Sequence, residues 1–181
     1  PKSARSAAMP VNIAVQTTFP YPRTVTLARG IVLNFTGPDN DNFVFSTDSD
    51  QSISVDSLTG VATFSNLNLY EGVFLTDTFV RDTSERQRFI LTNEKIDTTT
   101  LKVEVTSGTV TESYLKATDI TKIDSGTKVY FLEESEYGRP EVLFGDDVLG
   151  KALLDGDVIS VTYTTSSGPG ANGLTSFDFI G

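Results

Sequence analysis

The sequence predicts a mainly β chain, built of antiparallel β-sandwich or meander units with short strands and little helix. Three observations predict it. Short runs rich in β-branched and aromatic residues recur along the chain. Turn residues interrupt them about every ten residues, a spacing typical of all-β domains. No stretch of about ten residues carries the 3.6-residue apolar period of an amphipathic helix.

Taken in order, Pro1 to Pro10 is small, polar and basic, and reads as a linker. Val11 to Val15 alternates, with Val11, Ile13 and Val15 inward against Asn12 and Ala14. The prolines of Phe19-Pro20-Tyr21-Pro22 interrupt regular pairing and predict an extended corner. Thr24 to Ala28 and Ile31 to Thr36 flank Arg29-Gly30, which predicts a two-residue hairpin turn. Their inward sets are Val25 and Leu27, then Ile31, Leu33 and Phe35. Shorter strands follow at Phe43 to Phe45, Ile53 to Val55, Val61 to Phe64 and Tyr70 to Val80, broken at Thr59-Gly60 and Glu71-Gly72.

Phe89 to Leu91 and Leu101 to Val105 continue the pattern, and Lys128 to Leu132, Glu141 to Phe144 and Asp157 to Thr165 complete it. In the last of these Ile159, Val161 and Tyr163 share one face while Ser160, Thr162 and Thr164 share the other. Gly145-Asp146-Asp147, Gly150 and Asp155-Gly156-Asp157 are expected to make tight reversals, because glycine reaches positive φ and aspartate bonds its own backbone. Val148 to Leu154 is the best helical candidate, at one or two turns.

A chain of 181 residues suffices for one domain or two small ones. Where two are drawn, 1–87 is a first β domain with its N-terminal linker and 88–181 a second. The second has an expected core of Leu101, Val103, Val105, Tyr114, Leu115, Val129, Phe131, Val142, Phe144, Ile159, Val161 and Tyr163. The start at Pro1 and the end after Phe177-Asp178-Phe179-Ile180 suggest a piece of something longer.

Fourteen Lys and Arg against 24 Asp and Glu leave a net charge of -10, a field that repels phosphate backbones. Nucleic acid is therefore not an expected partner. The densest basic stretch, Arg81, Arg86 and Arg88, is interleaved with Asp82 and Glu85 and reads as a solvated strand edge or a salt-bridged contact. No apolar run approaches the ~20 residues that cross a bilayer, so no membrane is expected either. The absence of cysteine excludes disulfides and thiolate metal sites and fits a reducing cytoplasm.

Without histidine or cysteine the commonest hydrolytic machinery has no components. Two carboxylates suffice to cleave a glycoside, and Asp146-Asp147, Asp155 with Asp157, and Glu133-Glu134 with Glu136 offer pairs. Turn chemistry accounts for the same aspartates, so no catalytic residue is assigned. Asp39-Asn40-Asp41-Asn42 and Asp48-Ser49-Asp50 resemble the start of a calcium loop, but an EF-hand counted from Asp39 needs Gly and Glu where Val44 and Asp50 stand. Gly168 to Gly173 lacks the GK[ST] of a phosphate loop, and Asn34-Phe35-Thr36 is read as an accidental sequon. No cofactor, metal or small-molecule substrate is expected.

The pattern F-G-D-D-x-x-G-K-x-L-x-D-G-D-x-I-x-V-x-Y from Phe144 to Tyr163, followed by GPGANG at Gly168 to Gly173, resembles the J-like baseplate proteins of contractile-tailed bacteriophages. Within that group it is most similar to the wedge proteins of T-even-type phages. PKSARSAAMPVNIAV at Pro1 to Val15 and RFILTNEKIDTTTLKVEV at Arg88 to Val105 carry the resemblance to the start and middle of the chain, in the same order.

The resemblance implies a virion structural protein of the tail baseplate, assembled in the bacterial host cytoplasm. Its implied partners are other copies of itself and neighbouring baseplate proteins around the tail hub, with no enzymatic role. The alternative from the residues alone is an acidic β-sandwich module of an adhesin that binds calcium or carbohydrate, drawn from the Asp and Asn density of Asp39 to Asp50.

Overall fold

The computed structural model describes residues 5–36, 41–86, 88–166 and 178–180. The chain is mainly β, with 57% of it in strands against 2% helical, so its core rests on sheet pairing. The helical part described is one 3-10 turn, Ile120–Lys122, whose N-cap Asp119 accepts the Thr121 N–H. Two compact units share the chain: one built on Leu75–Tyr163, the other on Ala4–Phe74 together with Thr164–Gly181 as far as these are described. They divide at Phe74/Leu75 and again at Tyr163/Thr164, where the sequence placed a single division at 87/88.

The unit around Ala4–Phe74 has a five-stranded sheet. Its strands are β1 (Ala8–Gln16), β3 (Gly30–Thr36), β4 (Asn42–Thr47), β6 (Val61–Glu71) and β14 (Asp178–Phe179), in the order β1-β6-β4-β3-β14. β2 (Thr24–Leu27) and β5 (Gln51–Ser54) form a separate two-stranded sheet. Leu27, Val32, Leu33, Phe43, Phe45, Phe64, Leu67 and Leu69 make the core of this unit, and Val11, Ile13 and Val15 of β1 pack against them half-buried, as their alternation predicts; Met9 does so too, because β1 begins at Ala8, inside the stretch expected to be a linker.

The Arg29-Gly30 hairpin does not form. β2 pairs with β5, from Thr24↔Ser54 to Leu27↔Gln51, while β3 pairs with β4. The Arg29 N–H is held by Asp50 Oδ1 at 2.7 Å, and Gly30 at φ +133 turns the chain out of one sheet into the other. A bulge between Ile31 and Leu33 then corrects the inward set: Val32 is fully buried and Ile31 is 40% exposed. A second bulge lies where Val11↔Leu67 gives way to Ile13↔Phe64, so that Ser65 and Asn66 oppose Asn12. Asn66 adopts φ 54, and its N–H donates to Asn12 Oδ1 at 2.8 Å.

The other unit carries a seven-stranded sheet of order β7-β13-β9-β10-β11-β12-β8. The strands are β7 (Val73–Val80), β8 (Phe89–Ile90), β9 (Ile96–Ser107), β10 (Val110–Lys116), β11 (Val129–Glu134), β12 (Pro140–Phe144) and β13 (Val158–Thr165). β9 with β10, β11 with β12, and β12 with β8 are antiparallel. β10 and β11 are parallel, because the chain between Lys116 and Val129 makes a crossover through the 3-10 turn instead of a hairpin.

Its core holds Phe89, Leu91, Ile96, Val103, Val105, Tyr114, Tyr130, Val142, Leu153, Ile159, Val161 and Tyr163, with Leu101 and Phe144 packed against it. Leu115, expected inside, is 72% exposed: Tyr114 points inward, and strand alternation turns its neighbour out. Phe131 is half-buried, while Tyr130 beside it is buried. Phe89 and Tyr114 both meet Phe144 edge-to-face at 5.5 Å.

Candidate functional site

The segment from Phe144 to Tyr163 is a turn-and-strand unit in which every aspartate is engaged by the backbone or by a hydroxyl. Asp146 Oδ1 accepts the N–H groups of Val148 and Leu149 at 3.1 and 2.9 Å. Those backbone donors hold its carboxyl below the usual carboxylate range. Asp147, at φ 65, accepts the Ala152 N–H at 2.8 Å. These bonds replace the expected helix at Val148 to Leu154 with a compact turn that carries Leu153 into the core.

Asp155 Oδ1 takes the N–H and hydroxyl of Thr83 at 3.0 and 3.1 Å. Asp157, 5% exposed, takes the Ser107 hydroxyl at 2.5 Å and the Leu154 N–H at 2.8 Å. Turn and hydroxyl contacts thus engage both pairs of aspartates, and Asp146 also lines an open cleft.

β13 ends this segment with Ile159, Val161 and Tyr163, all completely buried. The Tyr163 hydroxyl donates to Asp77 Oδ2 at 2.9 Å and accepts from Asn93 Nδ2 at 2.5 Å. Asp77 Oδ2 also accepts the Thr92 N–H at 3.1 Å, so one buried phenol ties β7 and β13 to the loop after β8. Nothing in the sequence pattern distinguished this network from ordinary core packing.

Of the remaining acids, Glu133, Glu134 and Glu136 are exposed, and Glu136 lies 3.5 Å from Arg88. Arg88 makes a two-pronged bond to the buried Glu141, Nε to Oε1 at 2.7 Å and Nη2 to Oε2 at 2.6 Å. The basic stretch therefore divides. Arg88 is a salt-bridged contact, whereas Arg81 donates to the carbonyls of Asp82 and Glu85. Arg81 and Arg86 line an open cleft of about 530 Å³ with Phe89, Phe144 and Leu153 for its apolar wall.

Within the Asx-rich region, Asp50 accepts the Arg29 N–H and Asp48 the Ser49 hydroxyl at 2.8 Å, while Asp39 and Asn40 lie outside the described residues, as does Gly168 to Gly173. Among the described residues no group of three acids could hold a metal ion. Asn34 sits on an inner strand with its Oδ1 buried, a poor position for a glycan. No helix among the described residues is long and apolar enough to cross a membrane.

The sheet edges remain. β14 and β8 are two residues long, and β7 carries Asp77. β1 is nine residues long with no charged side chain. No protein-family model matches the chain, and no curated protein matches it.

Proposed function

We propose that this chain is a structural component of a contractile-tail phage baseplate wedge, acting in virion assembly through protein–protein contacts around the tail hub. Its partners in this reading are copies of itself and neighbouring baseplate proteins, and it turns over no substrate. One observation carries the proposal: the residues that bear the resemblance, Phe144 to Tyr163, are spent on building a rigid β unit. Asp146, Asp147, Asp155 and Asp157 all serve turns or their neighbours' hydroxyls, and Ile159, Val161 and Tyr163 are core. The other unit, by itself, offers one long, uncharged sheet edge at β1, a surface suited to assembly contacts. The calcium- or sugar-binding alternative draws on Asx density alone, and Asp50 there serves the backbone of Arg29.

The test is the DNA on both sides of the coding segment in its source. Reading frames for sheath, tube and other baseplate proteins beside it support the proposal. A frame standing alone with a secretion signal overturns it and directs effort to calcium and glycan binding.

A further inference from the structure

We infer that β1 is a self-pairing edge, through which two copies of this chain join their five-stranded sheets antiparallel into one. The backbone of β1 divides by parity. Ala7 O accepts the Glu71 N–H and Thr17 N–H donates to Gly60 O, so odd-numbered residues face β6 and even-numbered ones face outward. The bulge sits on β6 and leaves this parity intact along β1. Ala8, Pro10, Asn12, Ala14 and Gln16 therefore present their backbone groups at the end of the sheet, where no described strand pairs with them. All five are exposed, and none is charged. Pro10, which has no N–H to offer, falls in the outward set, where it costs the ladder with β6 nothing.

The occupant follows from the pattern. Met9, Val11, Ile13 and Val15 form an apolar row only half covered by their own core. Paired antiparallel about Asn12, a second copy sets Val11 against Ile13 and Met9 against Val15, which continues the row across the join. Ala8 then meets Gln16, Pro10 meets Ala14, and Asn12 meets itself. Every outward N–H finds a carbonyl, and the Ala14 carbonyl alone lacks a donor. This register pairs the whole nine-residue strand with itself. Charge does not oppose the join: β1 itself carries no charged side chain, so pairing it with its own copy sets no like charges opposite each other. Such a join is isologous, the commonest form of protein dimer. It does not depend on the phage reading and can fail or hold without it.

Sedimentation equilibrium of the intact chain over a concentration series tests the inference, alongside Ala14→Lys and Ala14→Pro. The first adds an edge charge, and the second removes an outward N–H without touching the β6 ladder. The expected result is a monomer–dimer equilibrium weakened at least about tenfold in both variants, equal to about 1.4 kcal/mol. Circular dichroism and melting of the dilute monomers should stay as in the parent, and Leu58→Ser, in an exposed turn, should dimerise normally. A chain that stays monomeric throughout, or a dimer that both variants leave intact, overturns the inference.

Discussion

Gly145 and Gly150 pack backbone against backbone: a Cβ on Gly145 would stand 2.2 Å from the carbonyl carbon and oxygen of Gly150. Gly150 is itself anchored, its N–H donating to Asp124 O and its carbonyl accepting the Asp147 N–H, both at 3.0 Å. Gly145→Ala must therefore displace a braced turn, at a cost of about 1–3 kcal/mol. Gly126→Ala, whose Cβ would meet nothing nearer than 3.8 Å, is expected to be neutral or slightly stabilising. Denaturant midpoints of the two variants check this, and equal midpoints would refute the close-packing argument.

The Tyr163 hydroxyl is the next test, because it is the sole polar atom of a fully buried side chain and bridges Asp77 and Asn93. Tyr163→Phe keeps the ring and leaves the Asn93 amide without its acceptor, costing about 1–3 kcal/mol. Tyr137→Phe, at a side chain 76% exposed, should change stability by less than about 0.5 kcal/mol. Chemical unfolding of both variants separates a structural bridge from a phenol of no consequence.

The turns and the strand faces were legible because their chemistry is local. Asp155-Gly156-Asp157 and Gly145-Asp146-Asp147 reverse the chain as their residue types require, and the alternation of β1 and β13 gave the correct inward faces. Partner choice was not legible, since it depends on contacts distant in sequence. Arg29-Gly30 has the chemistry of a hairpin turn, but Asp50, 21 residues on, captures the Arg29 N–H and sends β2 to β5. Bulges were equally hidden, because one extra residue near Ile31 exchanges the inward side chain without altering composition. The candidate surface suffered most. Arg81, Arg86 and Arg88 look alike in sequence, and only the buried Glu141 separates Arg88 from the two that line the cleft.

Alkaline pH supplies a third prediction. Burial pushes the phenols of Tyr114, Tyr130 and Tyr163 above their ordinary value of 10.0; nearby Glu112 adds to this at Tyr114, while the Asn93 bond opposes it at Tyr163. A folded value above the unfolded one means that the native state holds these protons longer. Their contribution to stability is thus complete below pH 10.0 and is lost as pH rises through the folded values. In an alkaline titration these three should ionise together with loss of the strand signal in circular dichroism. Tyrosinate absorbance from all three with the strand signal intact would contradict this.

Arg88 and Glu141 provide the last prediction, and it turns on an asymmetry. The Glu141 side chain is 4% exposed and that of Arg88 40%, so the carboxylate depends on the guanidinium more than the reverse. Arg88→Leu strands a buried negative charge on β12 and should lower the melting temperature at neutral pH. Glu141→Leu removes the charge that needed burying and leaves Arg88 free to reach solvent, so its loss should be smaller. Replacing both should recover part of the Arg88→Leu loss, because a buried ion pair and an apolar pair of similar volume are often close in stability. Thermal unfolding of the four proteins of this cycle gives the coupling directly. Strictly additive losses would mean that the two-pronged bond contributes nothing to the fold and that Arg88, like Arg81 and Arg86, is available for contacts at the surface.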